Sequence, residues 1–351
     1  MRILVTGGAG FIGSNLVHGL LGRQGGPPVE RVVNLDALTY CGRRENLAGL
    51  EKDSRHVFVH GSIGDDGLVG KLLAEHRIQA VMHLAAETHV DRSIDDPAPF
   101  FQTNVSGTQR LLESCRRYWS GLSGADAAAF RFHHVSTDEV FGSLAPSAPP
   151  FCETTGYDPR SPYAASKAAA DHLVRAYGHT YRLPVLITNC SNNYGPRQFP
   201  EKLIPLVIVY LLEGRPLPIY GDGKHRRDWL YVADHCEALE LVLRRGTPGE
   251  TYAIGGEAEM SNLEMVAMIC EIMDRLAPRS DGRPHATLIS HVADRPGHDR
   301  RYAISIGKIR RELGWSPRES TADGLEKTIR WYLENREWHG ANENRRSEAR
   351  K

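Results

Sequence analysis

One stretch limits the fold more than any other: RILVTGGAGFIGSNLVHGLL, residues 2–21. An apolar run ends in clustered glycines, and apolar residues then recur at 12, 16 and 20, the spacing of one helical face. Gly8, Gly10 and Gly13 match G-x-G-x-x-G, while Gly7, Gly10 and Gly13 equally match G-x-x-G-x-x-G. Either set permits a tight turn and lets the backbone approach a pyrophosphate at a helix N-terminus. Such a motif is weak alone, but here it sits inside a strand–turn–helix unit. Asp36 closes the next apolar run, RVVNLD (31–36), 23 residues past Gly13. A carboxylate there can accept hydrogen bonds from the adenosine ribose hydroxyls and repels a 2′-phosphate, so NAD is expected rather than NADP. Arg43 and Arg44 follow beyond that strand end.

The pattern continues. Apolar, β-rich runs at 2–7, 31–36, 56–61, 80–86, 131–136 and 184–191 alternate with helical periods near 12–22, 68–77, 101–119 and 161–182. Runs apolar on both faces imply a Rossmann-type, doubly wound parallel sheet covered by helices on both sides, an α/β fold. After Gly195 the pattern loosens. Helices near 203–213, 233–244, 262–276, 305–313 and 321–335 mix with short strands at LPIYG and TYAIGG. This reads as an NAD-binding domain over 1–195 and a smaller α+β substrate-binding domain over 196–338, with some chain crossing back. The polar residues 339–351 read as a frayed tail.

Lys+Arg and Asp+Glu balance at 43 each, so no global field points to nucleic acid or an anionic membrane. Any anionic ligand must be held by local donors. The longest apolar run, LIPLVIVYLL (203–212), is too short to span a bilayer. Met1-Arg2 leads straight into the first strand, so no cleavable signal is expected. Cysteines 41, 115, 152, 190, 236 and 270 lie far apart with no C-x-x-C pair, which favours reduced thiols and no metal site. The cytoplasm is the expected compartment.

Two further segments carry chemistry. In HHVSTDEVFGS (133–143) two acids, Asp138 and Glu139, directly follow Ser136 and Thr137. Ser136-x-x-Glu139 has the form of a capping box, yet the Pro-rich LAPSAPPF that follows cannot propagate a helix, so a chemical reading is preferred. If the strand ends at Ser136, both acids can turn towards one cleft. In SPYAASKAAADHLVRAYGHTY, Ser161-Pro162 is a helix start, and Tyr163 and Lys167 stand four apart on one face. An ammonium near a phenol favours the phenolate, which suits proton removal from an alcohol while hydride leaves the same carbon. The Ala-rich remainder of that helix suits close helix–helix contact in a homodimer built as a four-helix bundle.

Together TGGAGFIG, LDALTY, HLAAETHVDRSI, TNV, STDEVFG, SPYAASK, TNCSNNYGP, FPEKLIP, LPIYGDG, RDWLYV and DRPGHDRRYAI occur in the order seen in the dTDP-glucose 4,6-dehydratases. These belong to the extended short-chain dehydrogenase/reductase superfamily, and the resemblance runs from about residue 1 to 335. It implies an NAD site formed by the glycine loop with Phe11 and Ile12, by Asp36, Ala37, Leu38 and Thr39, and by Ser62 and Ile63. Leu84, Ala85, Ala86, Thr103, Tyr163, Lys167 and Asn192 complete it. It also implies a nucleotide-sugar site formed by Thr88, Thr137, Asn193, Lys202, Leu203, Pro218, Ile219, Tyr220, Arg227, Asn262, Asp294, Arg295 and His298. Arg227 and Lys202 would bring positive charge to a diphosphate in a neutral chain. Three places depart from the family pattern: Ser62 in HGSIGD, Ser305 after RYAI, and an apparent insertion at 118–130.

The implied reaction dehydrates dTDP-glucose to dTDP-4-keto-6-deoxyglucose, with Tyr163, Thr137 and Lys167 at C4, Glu139 as base at C5 and Asp138 as acid at the C6 hydroxyl. Adjacent carboxyls in a dry site push their pKa values apart, which suits one acid and one base. A UDP- or GDP-sugar dehydratase or a C4-epimerase of the same superfamily is the nearer alternative, though an epimerase has no need of the acid pair. A non-catalytic NAD-binding regulator would need neither the acids nor Tyr163 and Lys167.

Overall fold

The computed structural model describes residues 1–22, 28–294 and 299–340. Six parallel strands come from the first part of the chain: β1 (Arg2–Thr6), β2 (Arg31–Asp36), β3 (His56–His60), β4 (Ala80–His83), β5 (Arg131–Thr137) and β6 (Val185–Cys190). Later strands are β7 (Asn192–Tyr194), β8 (Leu217–Tyr220), β9 (Arg226–Tyr231), β10 (Thr251–Ile254), β11 (Glu259–Ser261) and β12 (Ile289–Val292). The central sheet has the order β10-β6-β5-β4-β1-β2-β3. Here TYAI, from the later part of the chain, pairs in parallel with β6 as an edge strand.

Strands buried along nearly their whole length need a helical layer on each face. Helices Phe11–Gly22 and Val232–Arg245 cover one face through Leu16, Val17, Leu20, Leu239 and Val242. Helices Asp66–Glu75, Thr108–Ser120 and Pro162–Tyr181 cover the other through Val69, Leu73, Leu111, Leu112 and Val174. A further core gathers helices Leu203–Leu212, Asn262–Leu276 and Thr321–Glu334 around Trp229. Beside it lie the three-stranded sheet β11-β9-β7 and the pair β12-β8. The strand order reverses between β1 and β4, and the crevice beyond the carboxyl ends of such strands is where open α/β sheets bind ligands.

The segment at 118–130 is not merely an insertion loop. Gly124–Ala129 forms a short helix, tied back by Trp119 Nε1 donating to the Ala127 carbonyl at 3.0 Å. Among the described residues no helix is long and apolar enough to cross a membrane, all six cysteines are free, and no group of three or more potential metal ligands occurs.

Histidines run through the core. Burial pushes His133 down to about 3, His134 to about 4 and His235 to about 3. The unfolded chain takes up these protons below about pH 6.5, where the folded chain still refuses them. Their stabilisation is therefore complete above that value and declines as pH falls towards the folded values. Each histidine contributes a slope of about 1.4 kcal/mol per pH unit. The urea midpoint should drop steeply between about pH 6.5 and about pH 4; a midpoint constant over that window would contradict the assignment of neutral core histidines.

Candidate active site

A cavity of about 630 Å³ opens at the switch point. Its floor is the glycine loop, and the reason for glycine is steric. Gly7 has φ +73°, and a Cβ there would stand 2.7 Å from the Ala85 backbone; at Gly13 it would stand 2.1 Å from the Gly7 carbonyl oxygen. The loop can therefore lie flat against the segment after β4 and the start of helix Phe11–Gly22 only without side chains. The first helical turn has no acidic residue to compete with an anion.

Asp36 carries the loop as well as facing the cavity. Its carboxylate accepts from Ala9 N and Leu38 N, both at 2.8 Å, and burial raises its pKa. Each oxygen retains a lone pair for a ribose hydroxyl. Arg43 donates to the Trp338 carbonyl at 2.8 Å, and Arg44 lies over the Phe58 ring. Both arginines are thus engaged away from the cavity wall. The donor and acceptor set fits an unphosphorylated dinucleotide.

The acid pair sits where β5 ends. The strand runs through Thr137, one residue further than its sequence pattern suggests, and Asp138–Phe141 make a single 3-10 turn. A cap does exist here, contrary to the sequence expectation, but on Thr137: its Oγ1 accepts from Glu139 N at 3.2 Å. The cap needs only one turn to follow, so the proline-rich segment does not forbid it. The turn breaks strand alternation and brings Asp138 and Glu139 to the same cavity. Asp138 is buried, and burial pushes its carboxyl well above the usual range, with Glu139 and Asp228 adding to the rise. Among the described residues its Oδ2 has no hydrogen-bond partner. A neutral acid with a proton to give fits that environment.

Helix Pro162–Tyr181 begins at Ser161, whose Oγ accepts from Ala164 N at 3.1 Å. Tyr163 and Lys167 share its cavity-facing side and are both buried. The sequence suggests that Lys167 draws the Tyr163 pKa down. In the structure burial pushes the phenol well above its ordinary value, Glu139 adds to this, and the hydrogen bond with Thr137 pulls it down. Lys167 Nζ donates to the Val135 carbonyl at 2.9 Å. That contact anchors it to β5 rather than to the phenol.

A wider π-type turn, Phe101–Gly107, carries Thr103 into the wall and turns Asn104 inward. Asn104 bridges Glu87 (2.9 and 3.0 Å) to Ser166 Oγ (2.9 Å), clamping the segment after β4 against the Tyr163 helix. Opposite, Lys202 Nζ donates to the Thr88 carbonyl at 3.1 Å. The Arg227 guanidinium lies 4.4 Å over the Tyr302 ring and donates to the Asp299 carbonyl at 2.9 Å.

The cavity wall brings together almost every site residue expected from sequence. On the dinucleotide side these are Gly7, Gly10, Phe11, Ile12, Gly13, Asp36, Ala37, Thr39, Ser62, Ile63, Leu84, Ala85, Ala86, Thr103 and Asn192. On the far side they are Thr88, Asn193, Lys202, Leu203, Pro218, Ile219, Tyr220, Arg227 and Asn262. Two do not join them. Leu38, with φ 51°, packs its side chain on the apolar core, and Asp294 pairs with His225 at 3.3 Å. Arg295 and His298 lie outside the described residues.

Residues 4–328 match the family model described as GDP-mannose 4,6 dehydratase. The chain is 58% identical over 335 residues to a dTDP-glucose 4,6-dehydratase of Xanthomonas campestris pv. campestris (strain B100), covering 95% of this chain and 94% of that one. It is 53% identical to dTDP-glucose 4,6-dehydratase 1 of Escherichia coli (strain K12), over 96% and 94% of the two chains. This chain belongs to the dTDP-glucose 4,6-dehydratase family. The crystal structure of DesIV, a dTDP-glucose 4,6-dehydratase from Streptomyces venezuelae with NAD and TYD bound, superposes with a TM-score of 0.86 at 49% identity, covering 96% and 98%. A UDP-glucose 4-epimerase from Thermotoga maritima, with UDP-glucose, superposes at 0.81 with 30% identity, covering 95% and 99%.

Within this dehydratase family the two serine departures have local uses. Ser62 Oγ accepts from Gly64 N at 3.1 Å, and Ser305 Oγ from Gly307 N at 3.4 Å. Wall residues that sequence reasoning passed over include Glu87, Glu201, Trp229 and Tyr302. Glu87, Glu201, Trp229 and Tyr302 lie inside the family motifs HLAAETHVDRSI, FPEKLIP, RDWLYV and DRPGHDRRYAI, which was the available signal.

Proposed function

We propose that this chain is an NAD-dependent hydro-lyase that converts dTDP-glucose to dTDP-4-keto-6-deoxyglucose. The observation that carries the reading is the buried, proton-retaining Asp138 beside Glu139 in the cavity that also holds Tyr163 and Lys167. The loop glycines, Asp36 and Thr103 would hold the dinucleotide, whose nicotinamide would supply a hydride acceptor for C4 and a hydride donor for C6. Tyr163, hydrogen-bonded to Thr137, removes the C4 hydroxyl proton, with Lys167 fixing the site against β5. Glu139 takes the C5 proton made acidic by the 4-keto group and, after exchange with solvent, gives a proton back to C5 as the hydride arrives at C6. Asp138 gives its proton to the departing C6 hydroxyl, so water leaves and no net redox change results. Arg227 and Lys202 take the diphosphate.

Gly13→Ala should weaken NAD binding at least about tenfold, or about 1.4 kcal/mol, because the added Cβ meets backbone that cannot swing aside. Fluorescence titration with NAD checks this, and unchanged affinity would remove the loop from the dinucleotide site.

Several wider features belong to the same reading. Residues 1–195 act as the dinucleotide-binding part and 196–338 predominantly as the nucleotide-sugar part; the separate core around Trp229 supports this division. Two copies join through helices Thr108–Ser120 and Pro162–Tyr181 as a four-helix bundle. That arrangement is supported by exposed Phe101 and Tyr181. Free cysteines suit a cytoplasmic enzyme.

The test is incubation with dTDP-glucose, UDP-glucose and GDP-mannose in parallel, reading keto-sugar absorbance in alkali. Product from dTDP-glucose alone or by a wide margin is expected. Preference for either other sugar nucleotide would reassign the substrate, and a C4-epimer without keto-sugar would reassign the reaction.

A further inference from the structure

Behind the active site, on the side of Lys167 away from the cavity, lies a polar cluster that the reaction above does not use. Asp171 follows Lys167 by four residues, hence on the same face of helix Pro162–Tyr181, and is fully buried. Its Oδ2 accepts from Tyr157 OH at 2.7 Å and from Asn189 Nδ2 at 3.2 Å, and its Oδ1 stands 3.2 Å from His134 Nε2. The last contact is an ion pair only if His134 is protonated. Burial and the Lys167 charge hold that imidazole down to about 4, so at neutral pH it is uncharged. The carboxylate is thus gripped by two neutral donors, with the uncharged His134 imidazole alongside. They keep it ionised without cancelling its charge, and Lys167 is the buried cation one turn away.

We propose that Asp171 is a positioning residue for the dehydratase reaction: a buried counter-charge, held by Tyr157 and Asn189 beside His134, that keeps Lys167 an ammonium inside the closed core. Lys167 has no carboxylate in direct contact among the described residues; its Nζ meets a backbone carbonyl. Burial drives it towards the neutral amine, and Asp171 is the largest influence in the other direction. The other groups around it are Tyr163 on its own helix, Asp138 and Glu139 on the turn after β5 and Cys190 on β6, all on the same cavity wall, with His134 on β5 and His83 on β4 within electrostatic reach; Arg175, two turns on, donates instead to Tyr157 OH at 2.8 Å. Of these, Asp138 is held neutral, His83 and His134 are neutral, and Cys190 is a thiol pushed up to about 12. Glu139 is needed as a base at C5 and changes charge during turnover. Asp171 is the carboxylate of this set that takes no part in the chemistry, so it supplies a constant field.

This inference rests on the assignment of Lys167 to the active site. Asp171→Asn keeps the shape and removes the charge. The alkaline limb of the kcat–pH profile for dTDP-glucose should then move at least about one unit towards lower pH, because Lys167 loses its proton sooner. Tyr157→Phe removes a neutral donor but leaves the charge, so its limb should stay with the wild type even if kcat falls. Asp171→Glu should restore the limb; if Asp171→Asn fails to fold, Asp171→Glu decides alone, and displacement of its limb by a unit overturns the proposal. A wild-type limb in Asp171→Asn also overturns it, as does a Tyr157→Phe limb that moves equally. Wild-type protein that does not turn over dTDP-glucose would instead remove the functional reading beneath it.

Discussion

Tyr163→Phe should lower kcat for keto-sugar formation by about 10²–10⁴-fold, the range for loss of a general base, with dTDP-glucose affinity little changed. The phenol is buried at the helix start, its ring edge-on to Phe100 at 6.4 Å, and its backbone N–H bound by Ser93 Oγ at 3.1 Å. Phenylalanine keeps these contacts and gives up only the hydroxyl and its bond with Thr137. The variant should therefore fold normally and stall before C4 oxidation. Stopped-flow measurement of the C4 step against equilibrium binding separates the two quantities. Equal loss of binding and rate would make Tyr163 a substrate contact rather than the base.

The second large effect splits the acid pair. Asp138→Asn should cut the rate of water loss by about 10²–10⁴-fold while C5 exchange with solvent continues, whereas Glu139→Gln should suppress C5 exchange itself by a similar factor. Stability provides an independent check. Asp138 has its pKa raised in the fold, so it stabilises the folded state most below the unfolded carboxyl value of about 3.9, and that contribution is lost as pH rises towards the folded value. At neutral pH the folding chain must take up a proton at Asp138, a cost that an uncharged Asn does not carry, and the melting temperature of Asp138→Asn should be no lower than that of the wild type. Removing Glu139's charge also relieves Asp138 and Tyr163, both of which it pushes up. Identical slowing of exchange and water loss in the two variants would overturn the division into base and acid.

Much of this architecture is legible because strand burial writes itself as unbroken apolar runs. RVVNLD spans β2 end to end, and RILVT and RFHHVST differ from their sequence boundaries by one residue. AVMHLAA reads as one strand to 86, but pairing stops at His83, and Leu84, Ala85 and Ala86 leave the sheet to wall the cavity. Nothing local marks that exit, since the same small apolar residues serve both purposes. The π-type turn at Phe101–Gly107 is similarly silent: its cause is Asn104 meeting Glu87 and Ser166, partners distant in sequence. Tyr302 and Trp229 reach the wall through strand pairings and a cation–π stack that no short window contains. Within the motifs, Leu38 shows the opposite arrangement. Its neighbours line the cavity, while a left-handed backbone sends its own side chain to the core.

The central claim is an internal hydride transfer coupled to loss of water. Substrate deuterated at C4 tests it most directly, with product analysed by mass spectrometry and NMR. The expected product carries the deuterium at C6 and a solvent-derived hydrogen at C5. Deuterium retained at C4 in an epimerised sugar, or lost to solvent with no label at C6, would contradict the assignment of Tyr163, Glu139 and Asp138 to one dehydration.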